Sequence, residues 1–384
     1  MKAENATFAV AYNGFGEDGN AQAFLEYLRQ RGARAVVEIQ HPLLGERGLH
    51  RHVMTVHRRD GDVTRRELRA PHYPPVTYPL DLILPLTARV MSEPIDLWVG
   101  FGNLNAIRGL YERARGRVRR VVYDCVDFTP DRFGARTLAT RAYDLADRLA
   151  YAQADAIWPL SQASHDARCE RLGLRPTRPV EIVPMGAWLT RTPKVRPEAF
   201  AERRVVFLGG LLEKQGVQLV LHALGRLRER GAAPIHFDVI GRGPYQPALE
   251  ALTRELDLTA AVTFHGFVKD HHDVEKLLAR GTLAVGTYLL EIASFSRYAD
   301  AGKLKAYLGA SLPCVLTDVT PNAREIAERA GGELVDGTAG AVASGIEAVL
   351  SDEGRWRARV DRAHEYAKQF DWLDIFDRAL ASLD

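Results

Sequence analysis

Cysteine is scarce in this sequence of 384 residues. Its three cysteines, Cys125, Cys169 and Cys314, are too few and too scattered for a disulfide framework or a zinc site. Two of them lie in apolar, strand-like runs, so we expect them to be buried small residues in a reducing compartment. The paired histidines His271 and His272 have no third ligand at metal-binding spacing, and we predict no metal site.

Long apolar runs are missing as well. No segment approaches the length of a membrane span, and the first residues, MKAENATFAVAYNG, lack the apolar stretch of a signal peptide. The most apolar helix-like piece, residues 78–91, is typical of a core helix, although a half-exposed version would suit a peripheral membrane protein. These features predict a cytoplasmic protein and leave open peripheral contact with the inner face of the membrane.

The sequence has no large excess of either charge. Its 51 basic and 49 acidic residues leave a net charge of +2, which gives no support to a nucleic-acid-binding function. The densest basic run, residues 108–120, has two interpretations. It is either a solvated helix face or a patch for acidic lipid head groups or an anionic acceptor.

Short apolar runs alternate with longer helical patterns along most of the chain, which favours an α/β fold built on parallel sheets. Two domains are expected, because one hydrophobic core seldom serves a chain of this length. The polar, proline-bearing segment 189–202 has no periodicity and is interpreted as the linker. We therefore predict two doubly wound, Rossmann-like domains, 1–188 and 203–365, facing a central cleft at the carboxyl ends of their strands.

A glycine-rich turn near the start, GFGEDG, contains Gly14, Gly16 and Gly19 between a strand and a helix. With Glu38 ending the next strand, this spacing is typical of a dinucleotide-binding unit and allows an NAD(P)-dependent oxidoreductase. Glu17 argues against that function, because a carboxylate inside the turn would repel a pyrophosphate. The alternatives are a flexible turn without a ligand, or an acceptor-side loop in which Gly14, Gly16 and Glu17 contact an acceptor.

The second half of the chain repeats a strand-then-glycine pattern. FLGGLLEKQG has Gly209 and Gly210 just past a strand and Lys214 before the next helix. VIGRGP has Arg242 and Gly243 after the following strand. Glycines let a backbone approach a ligand closely, and cationic side chains attract phosphate.

Two further turns continue this pattern. VTFHGFV ends a strand at Phe267, where free backbone groups could read the edge of a nucleobase. Farther on, a helix begins with Gly302 and Lys303, neither of which improves the stability of a first helical turn. A helix with an open, cationic amino end is typical of an anion site. The other interpretation is that Asp300 caps this helix and that Lys303 is solvated.

Taken in order, these motifs, followed by a helix that stops before Pro313, resemble the donor domain of group 1 (family 4-like) GT-B glycosyltransferases. The resemblance is good over about residues 204–336. In the first half, VVYDCVDFTPDRF and ADAIWPLS resemble GT-B enzymes that build bacterial surface polysaccharides. The closing segment 366–384 resembles the helix that crosses back onto the first domain in that fold.

The resemblance implies a hexosyltransferase-like enzyme that moves a sugar from a nucleotide-diphosphate sugar, such as a UDP-sugar, to an acceptor hydroxyl. The acceptor, a glycan, polysaccharide or lipid-linked molecule, would bind the first domain, and the donor would bind the second. The resemblance also implies that neither a metal nor another cofactor is required, so helix dipoles and cations must balance the diphosphate charge. Lys303, Lys214 and Arg242 are the candidates, and Gly302 would keep the helix start uncrowded.

The chain departs from the family at the two glutamates of its retaining members. Their positions are occupied here by Tyr298 and Ala306, so Glu291 or Asp300 would have to contact the ribose instead. Inversion and retention therefore both remain open. A non-catalytic sugar-nucleotide-binding protein of the same fold also remains an alternative.

Two aspartates in YDCVDF are the candidate catalytic residues. An inverting transfer needs a base that reaches the acceptor hydroxyl, and a carboxylate at a strand end could provide it. Resemblance to inverting polysaccharide-building enzymes favours Asp127, with Asp124 as the second candidate. The alternatives are that Asp127 caps the turn at Thr129 or, in a retaining enzyme, positions the acceptor.

Overall fold

The computed structural model describes residues 1–14, 19–42, 51–69, 93–289 and 295–384. Internal contacts divide the chain into two units, each with its own sheet. Unit 1 consists of Met1–Pro184 and Trp372–Asp384, and unit 2 consists of Met185–Asp371. The chain therefore enters unit 2 once and returns to unit 1 for its last helix.

Unit 1 is built on a seven-stranded sheet with the strand order β4-β3-β2-β1-β5-β6-β7. Its central strands are apolar because helices or loops cover both faces; in β1, for example, every residue but the last is buried. The elements are β1 Thr7–Asn13, α1 Asn20–Gln30, β2 Ala35–His41, β3 Arg51–Arg58, β4 Val63–Arg69, β5 Ile95–Phe101, α2 Asn103–Ala114, β6 Val118–Asp124, α3 Leu138–Gln153, β7 Ala156–Trp158 and α4 Gln162–Leu172.

The sheet of unit 1 is mixed rather than purely parallel. Strands β1, β2, β5, β6 and β7 run parallel, whereas β3 pairs antiparallel with both β2 and β4. From β1 the chain first adds β2, β3 and β4 on one side of the sheet and then β5, β6 and β7 on the other side. The direction in which strands are added therefore reverses between β1 and β5. In an open α/β sheet this is the point where ligands bind at the carboxyl ends of the strands.

Unit 2 contains a six-stranded, fully parallel sheet with the strand order β10-β9-β8-β11-β12-β13. Its order reverses between β8 and β11. The elements are α5 Ala199–Glu202, β8 Arg204–Leu208, α6 Val217–Glu229, β9 His236–Ile240, α7 Gln246–Glu255, β10 Val262–Gly266, α8 His271–Leu278, β11 Leu283–Gly286, α9 Gly302–Gly309, β12 Cys314–Thr317, α10 Ala323–Arg329, β13 Glu333–Val335, α11 Ala339–Leu350 and α12 Glu353–Ala367, with a short 3-10 helix at Glu213–Gln215.

The segment expected to be the linker, 189–202, lies within unit 2. Val195 and Ala199 are buried in the core of that unit, and the Val195 amide donates a hydrogen bond to the Ala310 carbonyl at 2.9 Å. The segment expected to cross back, 366–384, is divided between the two units. Helix α13, Trp372–Ala381, belongs to unit 1, where Phe376 packs on Phe24 of α1.

Among the described residues, no helix has both the length and the apolar character that crossing a membrane would require.

Candidate functional site

The carboxyl edge of the unit 2 sheet brings two loops together where the strand order reverses. One loop follows β8 and includes Gly209 and Gly210, and the other follows β11. The Thr287 hydroxyl donates to the Gly216 carbonyl at 2.9 Å, and the Leu289 amide donates to the Lys214 carbonyl at 3.0 Å. These hydrogen bonds fix the two loops side by side at the edge where ligands of such sheets bind.

Glycines allow the loops after β8 and β9 to pack backbone against backbone. A Cβ added to Gly241 would lie 2.0 Å from the Gly209 carbonyl oxygen, and one added to Gly243 would lie 2.2 Å from the Leu211 carbonyl oxygen. Gly243 was predicted to let a ligand approach, but its near neighbour in the structure is protein backbone. Gly210 differs, because nothing lies within 4 Å of the Cβ it lacks, so this turn is open to a ligand.

Lys303 extends from the first turn of α9 to the end of β8. Its Nζ lies 4.4 Å from the ring centroid of Phe207 and 4.3 Å from that of Tyr288, and it donates to the Gln215 side chain. Within the described ranges no carboxylate forms an ion pair with this amine. Burial among these groups lowers the pKa of Lys303 to about 7. The site therefore presents an amine that has no anionic partner there.

Helix α9 has an open amino end. Its N-cap is Ala301, whose side chain cannot accept a hydrogen bond from the first turn. A Cβ on Gly302 would lie 2.7 Å from Met185 Cε, so this glycine makes room for a methionine rather than only for a ligand. The uncapped amides and the helix dipole favour an anion beside Lys303.

Asp300 is not the cap of this helix. The residue is buried, and its carboxylate accepts hydrogen bonds from the Met185 amide at 2.7 Å and from Asn322 Nδ2 at 2.9 Å. It also forms an ion pair with Lys305. Because both oxygens are engaged inside unit 2, a contact between Asp300 and a ribose would require this network to open.

The remaining donor-side candidates lie on the same edge of the sheet. The Arg242 guanidinium stacks over the exposed Phe267 ring at 4.6 Å from its centroid, next to the ends of β9 and β10. Lys214 is half-buried in the loop after β8, and Tyr298 is half-buried just before α9. The other ribose candidate, Glu291, lies outside the described residues.

In unit 1 the two catalytic candidates have opposite environments. Asp124 ends β6 and is completely buried. One of its oxygens accepts a hydrogen bond from the Val126 amide at 3.1 Å, and the other has no hydrogen-bond partner among the described residues. Burial raises the pKa of Asp124 to about 7. Asp127 is exposed on the following loop, so of the two it is the carboxylate that a solvent-borne acceptor can reach.

Asp124 belongs to a buried polar cluster that we did not predict. In the sheet register Asp124 is aligned with Phe101 on one side and Trp158 on the other, so the three side chains share one face. Phe24 of α1 packs on both aromatic rings, and Asn20 lies one helical turn before it. Like the second oxygen of Asp124, the Asn20 amide and Trp158 Nε1 are buried and have no hydrogen-bond partner in the described part of the chain. The sequence feature that could have indicated this cluster is Asn20, a polar residue at the start of the otherwise apolar buried face of α1.

Only part of the proposed acceptor-side loop is described. Gly14 has a φ of 120°, which favours glycine, and its amide donates to the His41 carbonyl at 2.9 Å. Gly16 and Glu17 lie outside the described residues.

Comparison with known proteins gives a family match for part of the chain and a fold for nearly all of it. Residues 202–352 match the family model of glycosyl transferases group 1. The comparison with curated proteins returned no match. Neither the family match nor the solved structures support the oxidoreductase that the Gly14–Gly19 spacing left open.

Three solved structures illustrate the structural similarity. Sucrose-phosphate synthase from Thermosynechococcus elongatus is 15% identical, with a TM-score of 0.72 over 99% of this chain and 100% of that one. Anabaena HepE in complex with UDP is 17% identical, with a TM-score of 0.67 over 98% of both chains. WaaG, a glycosyltransferase involved in lipopolysaccharide biosynthesis, is 16% identical, with a TM-score of 0.61 over 97% of this chain and 98% of that one.

The structural matches over nearly the whole chain agree with its two α/β units. Residues 202–352, in unit 2, are therefore similar to the group 1 glycosyltransferases, and the chain has the GT-B fold.

Proposed function

We propose that this protein transfers a sugar from a nucleotide-diphosphate sugar to an acceptor hydroxyl, and that unit 2 binds the donor. The observation that carries the proposal is the amine of Lys303, which lies without a carboxylate partner among the described residues, beside the open Gly209–Gly210 turn. The Anabaena HepE structures contain UDP or UDP-glucose, which favours a uridine diphosphate sugar as the donor.

The diphosphate is proposed to bind between Lys303 and the first turn of α9. Its negative charge would restore the charged form of the lysine, and the uncapped amides of the helix would donate to its oxygens. Arg242 and Lys214, on the neighbouring loops, are the proposed additional cations. We propose that these groups, rather than a divalent ion, balance the charge that develops on the leaving diphosphate.

The nucleoside is proposed to bind at the ends of β9 and β10. The exposed Phe267 ring and the backbone around it offer an apolar face and hydrogen-bonding groups to a nucleobase. Because the carboxylate of Asp300 is engaged with Lys305 and Asn322, Glu291 is the better proposal for the ribose contact.

Catalysis is proposed to involve Asp127 of unit 1. In an inverting transfer the acceptor oxygen attacks the anomeric carbon, the bond to the diphosphate breaks, and Asp127 accepts the hydroxyl proton. Its exposure allows direct contact with the acceptor, whereas buried Asp124 has no such access. In a retaining transfer Asp127 would position the acceptor without taking the proton.

The acceptor is proposed to be a glycan, a polysaccharide or a lipid-linked sugar in the cytoplasm, with peripheral contact at the membrane. The likeness to WaaG, which is involved in lipopolysaccharide biosynthesis, favours an acceptor of this kind.

The test is donor binding by calorimetry in Lys303→Ala, with Lys276→Ala as the control. Lys276 is an exposed lysine of unit 2 paired with Asp273, so its loss removes the same charge away from the proposed site. We expect Lys303→Ala to weaken binding of UDP-glucose roughly 10-fold or more, as expected for losing a charged hydrogen bond. Equal affinities in the two variants would overturn the assignment of the diphosphate site.

A further inference from the structure

Helix α3 of unit 1 carries a row of exposed leucines. Leu138, Leu145 and Leu149 are 80%, 66% and 47% exposed. They are seven and four residues apart, so they form one stripe along the helix. Phe133, in the loop that leads into the helix, adds a fourth side chain at 38% exposure. Of the nine large apolar side chains exposed in the described part of the chain, these four lie within 17 consecutive residues.

Arginines lie beside this stripe without acidic partners. Arg141 and Arg148 of α3 are exposed, as are Arg132 and Arg136 in the preceding loop. None of the four forms an ion pair with a described residue. Successive residues of a helix are 100° apart around its axis, so Arg141 and Arg148 both lie on the same side of the leucine row, rotated about 60–80° from it. The exposed face therefore combines apolar and cationic side chains.

Both carboxylates of the same helix are engaged in ion pairs. Asp147 is buried and pairs with Arg168 at 2.9 Å, and Asp144 pairs with Arg171 at 3.0 Å. These ion pairs attach α3 to α4 and leave no unpaired carboxylate on α3. By contrast, the basic run at 108–120 is largely engaged in ion pairs, such as Arg113 with Asp155.

We propose that this face of α3, together with Phe133, docks on an anionic lipid bilayer. Leucines with a row of arginines along one side match a membrane surface, where apolar side chains enter the acyl boundary and cations meet head groups. The four apolar side chains expose roughly 400 Å², about half of what each partner buries in a standard protein interface. That area and the unpaired positive charge favour a bilayer over a second copy of the chain.

The consequence for catalysis rests on the proposed function. The loop that carries Asp127 leads directly into α3, so docking would hold this loop at the membrane surface. A lipid-linked acceptor could then reach Asp127 without leaving the bilayer.

The experiment is co-sedimentation of the full chain with vesicles of phosphatidylcholine alone or with 30% phosphatidylglycerol. One variant is Leu138→Gln/Leu145→Gln/Leu149→Gln and the other is Arg141→Gln/Arg148→Gln. The control, Arg355→Gln/Arg362→Gln, removes the same charge from exposed positions of unit 2.

We expect the wild-type protein and the control to bind the anionic vesicles, less tightly at high salt. Both α3 variants should bind them about 10-fold or more weakly, since each arginine near such a surface contributes roughly a 5-fold gain. Unchanged vesicle binding in both α3 variants, or equal binding to neutral and anionic vesicles, would overturn the proposal. A wild-type dimer that the leucine variant converts to a monomer would also overturn it, by identifying a second copy as the occupant.

Two readouts separate this proposal from the proposed function. Calorimetry with UDP-glucose tests the donor site of unit 2 and should give the same affinity in both α3 variants as in the wild-type protein. If the leucine variant does not fold, as judged by its melting transition, the arginine variant still decides the question.

Discussion

The affinity for donor should depend on pH through Lys303. Its pKa is lowered to about 7 in the free protein, because burial disfavours the ammonium form. A diphosphate beside the amine favours the ammonium form and raises that pKa. Binding should therefore be tightest below pH 7 and should weaken as the pH rises, since the protein must then take up a proton to form the ion pair.

The size of the pH dependence of donor affinity follows from the change in the pKa of Lys303 on binding. If the pKa in the complex exceeds 9, the wild-type affinity should fall about 25-fold between pH 6.5 and pH 8.5, which is about 2 kcal/mol. Near pH 8 the complex should take up about 0.9 proton. Replacing Lys303 by methionine keeps the apolar stem and removes both effects, so its penalty should be larger at pH 6.5 than at pH 8.5.

The assay is titration calorimetry with UDP-glucose in buffers of different ionisation enthalpy, at several pH values. The diphosphate diester of this ligand keeps its charge across the range, so the uptake reports on the protein. Lys276→Met, at an exposed ion pair of unit 2, is the matched control and should behave like the wild-type protein. Tight binding with no proton uptake and a flat pH profile would refute the contact between Lys303 and the diphosphate.

Three more predictions concern single residues. Asp124→Asn should raise the melting temperature more at pH 8.5 than at pH 5. The pKa of the Asp124 carboxyl is raised to about 7, so the wild-type protein loses about 4 kcal/mol of stability in all as the pH rises toward 7. An equal change in melting temperature at both pH values would contradict this. Gly241→Ala should destabilise unit 2 by about 2 kcal/mol or more, because the new Cβ would clash with the Gly209 carbonyl and the backbone φ of 131° at this position disfavours alanine. Gly210→Ala is the control and should melt like the wild-type protein. Similar melting temperatures for the two variants would refute this role of Gly241. Asp127→Asn should lower turnover about 100-fold or more and leave donor affinity unchanged, and full activity would remove Asp127 as the base.

The alternation of strands and helices was predictable because buried parallel strands are apolar along their whole length. The hairpin of β3 and β4 was not predicted, although Asp60-Gly61 between its strands is a hairpin signal. Strand β4 is mostly charged and exposed, so it lacks the apolar alternation that identifies a strand covered on one face. Strand β4 is therefore held in place by its hydrogen bonds to β3 rather than by burial of apolar side chains.

The edge of the sheet that carries the proposed donor site was predictable, but the side-chain contacts at that edge were not. Strand order and glycine turns indicate the edge of the sheet, but they do not reveal which side chains meet there. Asp300 was expected to act as a cap or a ribose ligand; Ala301 occupies the cap position, and Asp300 pairs with Lys305 and accepts a hydrogen bond from the amide of Met185, 115 residues away. Contacts over such separations depend on tertiary packing, which no local pattern in the sequence encodes.

A crystal structure of the full chain with a bound nucleotide-diphosphate sugar tests the account most directly. The diphosphate should lie at the carboxyl edge of the unit 2 sheet, with one oxygen about 3 Å from Lys303 Nζ and another accepting an amide of the first turn of α9. A donor bound elsewhere, with Lys303 still donating to Gln215 and no phosphate near α9, would contradict it.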